Sequence, residues 1–242
     1  MAVGGLLYVR KRVPYHSLVA YHEVAGYLLS VIGTLYAVLL GFVVVDAMTQ
    51  VQEARLTVEK EADAIANVFL AADGFPQAER DRIQELSQRY VKLVIEDEWQ
   101  AMARSAYSRA AFDVSWLLWK EGVHFRPKTE AEQSLHQCML EELSNLSDAR
   151  RARLLKSRHG VAPILWLALI TGGIFTLVFT YFFGVQNIRV QIVMTVLVAF
   201  TLALNVMLVV LFGRPFAGDL AVQPEAFRLD QEIFNAYLKD CR

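Results

Sequence analysis

The chain has 242 residues, of which 55% are hydrophobic and 20% charged, and its formal net charge is −1. This is too apolar for an ordinary soluble domain, and three long windows contain almost no charge, so a lipid bilayer is the expected solvent of those windows. A net charge near zero gives no reason to expect nucleic-acid binding, which needs a concentrated basic surface. Cys138 and Cys241 lack metal-binding spacing, and we expect both to be reduced thiols facing a cytosol.

Three uncharged runs are predicted to be membrane helices. The first, Val24–Val45, is long enough at 1.5 Å rise per residue to cross a hydrocarbon core about 30 Å thick. The other two, Val161–Val185 and Val190–Gly213, are so close in sequence that they must form a tight antiparallel hairpin. The apolar segment Met1–Val9 is too short to span and has its basic residues after it, unlike a cleavable export signal. It is a partial helix, a re-entrant piece or the remnant of a longer segment with an upstream start.

The region between the first two membrane helices has helical periodicity throughout. We expect the first membrane helix to continue over 47–72 and to be followed by helices at 77–104, 110–121 and 130–158, the last with Thr129 as its N-cap. No strand alternation or repeat is visible. The predicted fold class is therefore an all-α integral membrane protein. It has three full transmembrane helices and a short N-terminal apolar segment, with a cytosolic helical bundle inserted between the first and second full helices.

The distribution of basic residues orients the chain. The second membrane helix is preceded, and the third followed, by Arg150, Arg151, Arg153, Lys156, Arg158 and Arg214, whereas the opposite side has Arg10, Lys11, Arg12 and Arg189. The positive-inside rule then favours a cytoplasmic large domain in a multi-pass protein of the inner membrane. The expected segments are a partial apolar segment and basic linker at 1–22, a transmembrane helix at 23–46, the helical cytosolic domain at 47–160, a transmembrane hairpin at 161–213 and a cytosolic C-terminal tail at 214–242.

Several short segments resemble a bacterial membrane-protein family described as bestrophin-like. They are Glu23-Val24-Ala25-Gly26, the run from Leu35 to Val45, Glu53-Ala54-Arg55, Glu61-Ala62, Pro163, Trp166, the run from Arg214 to Gly218, Pro224 and Phe227. The resemblance covers nearly the whole chain, and the order and spacing of the segments carry it. It implies a membrane helix ending in Leu-Gly-Phe, a long cytosolic insertion, a later hairpin and a cytosolic tail. It also implies four membrane helices, so that Met1–Val9 would be a shortened first one.

The first full membrane helix carries a narrow stripe of small and polar residues. At about 100° per residue, the stripe and the inner end of the helix comprise Glu23, Ser30, Thr34, Ala37, Gly41 and Asp46. One interpretation is close helix packing through small residues; the other is a pore surface repeated around a symmetry axis. Asp46 fits either an acidic ring in an oligomer or an ion pair with a base such as Arg214 or Arg158, and Glu23 poses the same choice.

A second face of this helix fits a hydrophobic constriction that gates by dewetting, as the resemblance to bestrophins implies; its candidates are Leu35, Leu39, Phe42 and Val43. On the third membrane helix, Thr201 and Asn205 lie one turn apart, and we expect them to act in helix packing. The pair Gly172-Gly173 is expected to be a close-approach or kink site.

The sequence contains no catalytic or cofactor pattern. Its histidines lack the i, i+4 spacing with acidic support of a helical metal site, and there is no Walker loop, GxSxG motif or dinucleotide fingerprint. The carboxylates on the predicted water-exposed helices are interpreted as solvated faces: Glu59, Glu61, Asp63, Asp97 and Glu98. We therefore expect no enzyme activity, no cofactor and no metal.

The favoured hypothesis is a homo-oligomeric bestrophin-like ion channel, or channel-related protein, with an axial path lined by the first full transmembrane helix. Its partners would be further copies of itself, in a pentamer or a tetramer, the lipid bilayer and inorganic ions. Selectivity stays open, because carboxylate rings favour cations whereas the resemblance implies anions. The alternative is a non-conducting, membrane-anchored scaffold whose cytosolic helical domain binds a protein partner through Phe112, Trp116 and Trp119.

Overall fold

The computed structural model describes residues 2–14, 18–19 and 22–240, and all regular secondary structure in these ranges is helical. Met1, His16 and Cys241 lie outside the described residues. The helices in chain order are α1 (Ala2–Arg12), α2 (His22–Ala71), α3 (Gln77–Leu93), α4 (Trp99–Met102), α5 (Arg109–His124), α6 (Glu130–Arg158), α7 (Pro163–Tyr181), α8 (Ile188–Phe212) and α9 (Glu225–Asp240). The predicted all-α fold class is confirmed.

Three of the described helical stretches are long and apolar enough to cross a membrane, namely those within His22–Gly74, Glu130–Tyr181 and Ile188–Phe212. Each overlaps one of the three predicted membrane helices, although the second ends at Tyr181 rather than at the predicted Val185 and the third at Phe212 rather than at Gly213. The second of these begins with Pro163 in its first turn, where the missing N–H costs nothing. The third begins after Asn187, whose side chain accepts a hydrogen bond from the backbone N–H of Arg189 at 3.0 Å. Local capping chemistry therefore sets where the last two membrane helices start.

The chain divides into two compact units. The first, here called the membrane unit, comprises Met1–Thr49 and Val161–Gly213. In this unit α1 packs against α7 and α8, with Leu6 fully buried. Arg10 ties the end of α1 to the α7–α8 hairpin, since its guanidinium donates to Gln191 Oε1 at 2.8 Å and to the carbonyl oxygen of Val185. The short N-terminal apolar segment is thus an anchored helix of 11 residues.

The second unit, here called the helical domain, comprises Gln50–Gly160 and Arg214–Arg242. Aromatic stacking is prominent in its core: the rings of Phe69 and Phe234 are 4.0 Å apart, and those of Phe75 and Phe125 are 4.2 Å apart. The predicted N-cap of α6 is confirmed, because Thr129 Oγ1 accepts the backbone N–H of Glu132 at 3.1 Å. The predicted continuation of the first membrane helix is confirmed as well, since α2 is unbroken to Ala71.

Two parts of the helical domain differ from the sequence prediction. The predicted helix 77–104 is interrupted after α3 by a π-helical turn at Val94–Glu98. Such turns insert an extra residue and rotate the side chains that follow, and Glu98 at this turn is fully buried. The segment predicted as a tail forms α9, and its Phe227 and Phe234 are almost completely buried in the core of the domain. These two phenylalanines, seven residues apart, lie on one face of a helix and were the available signal.

Candidate functional site

The orientation of α2 within the membrane unit is set by close packing on one face. The Tyr36 hydroxyl donates to the carbonyl oxygen of Leu169 on α7 at 3.0 Å. A Cβ built on Gly172 would lie 2.4 Å from Tyr36 Cδ2, and one built on Gly173 would lie 3.1 Å from the Tyr36 hydroxyl. The glycine pair therefore admits the tyrosine ring, which confirms it as a close-approach site. Sequence reasoning did not identify Tyr36 as its partner.

The predicted polar stripe lies on the open face of α2. In the single chain the five residues of the stripe and Asp46 at the inner end of the helix are all exposed: Glu23, Ser30, Thr34, Ala37, Gly41 and Asp46. The Thr34 hydroxyl donates to the carbonyl oxygen of Ser30 at 2.7 Å, a bond within the helix that masks part of its polarity. A Cβ built on Gly41 would meet no heavy atom within 4 Å, so no described helix packs closely at this glycine. The stripe faces away from α7 and α8.

The four predicted constriction residues divide between two faces. Leu35 and Phe42, seven residues apart, are 67% and 71% exposed in the single chain. Leu39 is half-buried, and Val43 is only 3% exposed because it packs in the apolar cluster that α2 forms with α7 and α8. Val43 is therefore buried by packing within the chain. The surface that a neighbouring molecule would meet carries Leu35 and Phe42.

Two polar residues of α8, Thr201 and Asn205, bond to their own helix. The Thr201 hydroxyl donates to the carbonyl oxygen of Leu197 at 3.0 Å, and Asn205 Nδ2 donates to the carbonyl oxygen of Thr201 at 2.9 Å. Such bonds reduce the cost of holding polar groups in hydrocarbon. Thr201 is exposed and Asn205 half-buried in the single chain, so their expected role in packing between helices stays a prediction.

A second cluster, here called the buried charge cluster, lies inside the helical domain and comprises Glu61, Tyr90, Glu98, Arg150 and Arg153. The Arg153 guanidinium donates to both oxygens of Glu61, at 2.5 and 2.7 Å, and to Glu98 Oε2 at 2.6 Å. Arg150 Nη2 donates to Glu98 Oε1 at 2.5 Å, and the Tyr90 hydroxyl donates to Glu61 Oε1 at 2.5 Å. Helices α2, α3 and α6 and the π-helical turn are joined through these bonds.

Burial and neighbouring charges shift the pKa of two members of the buried charge cluster, Arg153 and Tyr90. Burial alone lowers the pKa of Arg153, but the carboxylates of Glu61 and Glu98 outweigh that effect and raise it above its ordinary value. Burial, and next the charge of Glu61, raise the pKa of Tyr90 well above its usual range. Two carboxylates are matched by two guanidiniums, so the cluster is charge-compensated and its acceptors are occupied. Its arrangement fits a structural tie and offers no vacant ligand position.

The interpretation of Glu61 and Glu98 as solvated carboxylates was wrong, since both are 0% exposed. A signal for the cluster did exist in α6. The buried residues of that helix are Met139, Leu143, Leu146, Arg150 and Arg153, so the two arginines continue the apolar stripe at helical spacing. Charged residues on an apolar face predict buried partners.

The aromatic residues of the alternative hypothesis are open in the structure. Phe112, Trp116 and Trp119 of α5 are 42%, 55% and 38% exposed. No group of three or more His, Cys, Asp or Glu side chains suited to a metal ion occurs within the described ranges 2–14, 18–19 and 22–240. The chemistry of the described chain is therefore concentrated in the open face of α2, the buried charge cluster and the surface of α5.

The part of the chain that the structure describes has only helical regular structure and includes three membrane-capable helices, so the chain is a helical integral membrane protein. The sequence model of the bestrophin-like domain matches residues 1–227, and the chain belongs to that family. No functionally curated protein matches the sequence.

The solved structures that resemble the chain share its fold at low sequence identity. A bacterial bestrophin homologue from Klebsiella pneumoniae, determined by Zn-SAD phasing, aligns with a TM-score of 0.71 and 13% identity, covering 97% of this chain and 96% of that one. A point mutant of the Klebsiella pneumoniae homologue gives a TM-score of 0.70 and 13% identity, with coverages of 97% and 99%. The structure of a variant described as a membrane protein aligns with a TM-score of 0.71 and 12% identity, covering 97% of this chain and 93% of that one. At these identities the likeness establishes a bestrophin fold.

Proposed function

We propose that the chain is the subunit of a homo-oligomeric ion channel of the bestrophin type, with an axial path lined by α2. Family membership supports this proposal, because bestrophins are known as ion channels. The observation that carries it is the open face of α2, where the polar stripe, Leu35 and Phe42 are exposed, whereas Tyr36 on another face of α2 is buried and bonded to α7. Segments 23–46 and 161–213 would cross the inner membrane, with 47–160 and 214–242 in the cytosol.

Oligomerisation is part of the proposal because one membrane unit has too few spanning helices to enclose a wide water path. The exposed apolar residues of α2 also support oligomerisation. Tyr27 is 75% exposed and Val31 is 59% exposed, and these side chains need lipid or another copy as neighbours. By the family resemblance, five copies around the axis are the first expectation and four the second.

The path would combine a hydrophobic gate with charged ends. Leu35 and Phe42, repeated around the axis, would form the constriction that conducts only when wetted. Glu23 and Asp46 lie towards the two ends of the membrane part of α2, and rings of either would favour cations. Replacing Asp46→Asn should then shift the reversal potential towards anions. An unchanged reversal potential would remove Asp46 from the selectivity mechanism.

Flux from liposomes tests the proposal directly. Purified protein is reconstituted and assayed under potassium and chloride gradients, with its oligomeric mass measured in detergent. We expect an oligomer and ion flux, and Phe42→Ala should increase the flux because it widens the constriction. Ile174→Ala, which truncates a side chain 53% exposed on α7, is the matched control and should leave flux unchanged.

The alternative is a non-conducting scaffold whose cytosolic helical domain binds a protein partner. The exposure of Phe112, Trp116 and Trp119 favours this second candidate, because three neighbouring aromatic side chains are unusual on a free surface. Absence of flux at every pH and calcium concentration tested, from a correctly assembled oligomer, would favour the scaffold over the channel.

A further inference from the structure

The five basic residues that precede α7 are not equivalent. Arg150 and Arg153 belong to the buried charge cluster, and Lys156 Nζ lies 2.7 Å from Glu53 Oε2. That contact lowers the pKa of Glu53, through the hydrogen bond first and the charge second. Arg151 and Arg158 are exposed, and neither forms an ion pair with any residue in the described part of the chain. Of the basic run, these two guanidiniums are therefore available to an external anion.

Both available arginines line one groove on the helical domain. The groove has a volume of about 690 Å³ and lies between α5 and the C-terminal half of α6. Its apolar lining is provided by Tyr107, Phe112, Trp116, Trp119, Leu154 and Leu155. Asp148 is the only carboxylate among the lining residues, and Arg109, which also lines the groove, is paired with Asp113 at 3.2 Å. The groove therefore combines an aromatic wall with an excess of positive charge.

The short connection between α6 and α7 limits how far Arg158 can lie from a helix that is proposed to cross the membrane. Arg158 is the last residue of α6, and Pro163 opens the membrane-capable α7. Five residues of extended chain span at most about 18 Å, so Arg158 lies within that distance of the start of α7. Arg151, Leu155 and Arg158 follow one another at i, i+4 and i+7 and share a face of α6. Basic residues close to a membrane helix attract anionic lipid headgroups.

We propose that the groove between α5 and α6 binds an anionic phospholipid from the adjacent leaflet. The headgroup phosphate would be held by Arg151 and Arg158, and an acyl chain would cover Trp116, Trp119 and Leu155. A free inorganic anion would use the two guanidiniums but leave the indole rings and Leu155 in water. An amphiphilic anion satisfies both parts of the groove, because its charge and its hydrocarbon are joined in one molecule. The proposal is independent of ion conduction.

Tryptophan quenching by brominated lipids tests this assignment. The full chain carrying Trp166→Phe, which removes the indole of α7, is reconstituted in phosphatidylcholine vesicles. The vesicles contain either brominated phosphatidylglycerol or brominated phosphatidylcholine at equal mole fraction. We expect stronger quenching by the phosphatidylglycerol probe, because Trp116 and Trp119 would contact its acyl chains. Arg151→Gln with Arg158→Gln should abolish the difference, with binding weakened about fivefold for each arginine removed.

A matched control separates the groove from general surface charge. Arg104→Gln with Arg126→Gln removes two exposed arginines elsewhere on the helical domain and should keep the preference for phosphatidylglycerol. Arg151→Lys with Arg158→Lys should also keep that preference, which would show that the glutamine variant lost it through loss of charge and not through misfolding. Two results would each overturn the proposal: equal quenching by both probes, which is what a site for a free inorganic anion would give, or a preference for phosphatidylglycerol that survives in the glutamine variant.

Discussion

The open face of α2 and the buried charge cluster both place polar groups among apolar neighbours, but they satisfy them in opposite ways. In the cluster, Glu61 and Arg153 are fully buried and bonded to each other within one chain. On the open face, Ser30, Thr34 and Gly41 remain exposed in the single chain. A compensated set of charges supports the fold, whereas a polar stripe left open on a membrane helix requires other copies, lipid or water. The difference indicates which region holds structure and which is available for function.

Breaking the buried charge cluster should have the largest effect. Arg153→Leu leaves Glu61 and Glu98 buried without their shared cation, and we expect about 3–5 kcal/mol loss of stability. The midpoint temperature of thermal unfolding in detergent measures this loss of stability. Arg104→Leu, at an exposed position, should change stability by about 0.5 kcal/mol or less. If the two variants unfolded at the same temperature, the cluster would not be the structural tie described above.

The pH dependence of stability should come from Asp230, a buried carboxyl on α9 whose Oδ2 has no hydrogen-bond partner among the described residues. Burial, and next the nearby charge of Asp63, raise the pKa of Asp230 to about 7. The unfolded chain releases this proton near pH 4, so between about pH 4 and 7 the folded state binds more protons. The contribution of Asp230 to stability is then fully present below about pH 4 and is lost as the pH rises towards 7.

Asp230→Asn should remove most of that decline, which is at most about 4 kcal/mol because each pKa unit between about 4 and 7 is worth about 1.4 kcal/mol. Hydrogen exchange of α9 across this pH range would follow it, because α9 is the helix that carries the buried carboxyl. Glu232→Gln removes an exposed carboxylate from the same helix and should leave the decline intact. A parent protein whose α9 is equally protected at pH 4 and pH 8 would contradict the assignment.

A smaller effect is expected where α2 meets α7. Gly172→Ala would place a Cβ 2.4 Å from the Tyr36 ring, and the displacement should cost about 1–3 kcal/mol. Gly33→Ala is the matched control, because its Cβ would meet nothing within 4 Å. Combining Gly172→Ala with Tyr36→Leu should recover part of the loss, as measured by thermal unfolding in detergent. Equal stability of the two alanine variants would show that this contact does not set the orientation of α2.

The elements that sequence reasoning predicted are those specified by local signals. Helix α6 has the predicted bounds because Thr129 caps its start, and the membrane helices are visible as uncharged runs. The buried charge cluster was missed because Glu61 and Arg153 are 92 positions apart, and no local pattern states that they meet. The orientation of α2 could not be predicted either. Helical periodicity shows which residues share a face, but it does not show which helix each face contacts. The contact of Tyr36 with Gly172 supplied that information.

The central claim is that the open face of α2 lines an aqueous axial path. In a background with Cys138→Ser and Cys241→Ser, the variants Phe42→Cys and Ile174→Cys are reconstituted in liposomes and treated with a charged, membrane-impermeant thiol reagent. We predict that the reagent blocks ion flux through Phe42→Cys and leaves flux through Ile174→Cys unchanged, because only the first side chain would face water. Block at Ile174→Cys with none at Phe42→Cys would contradict the account.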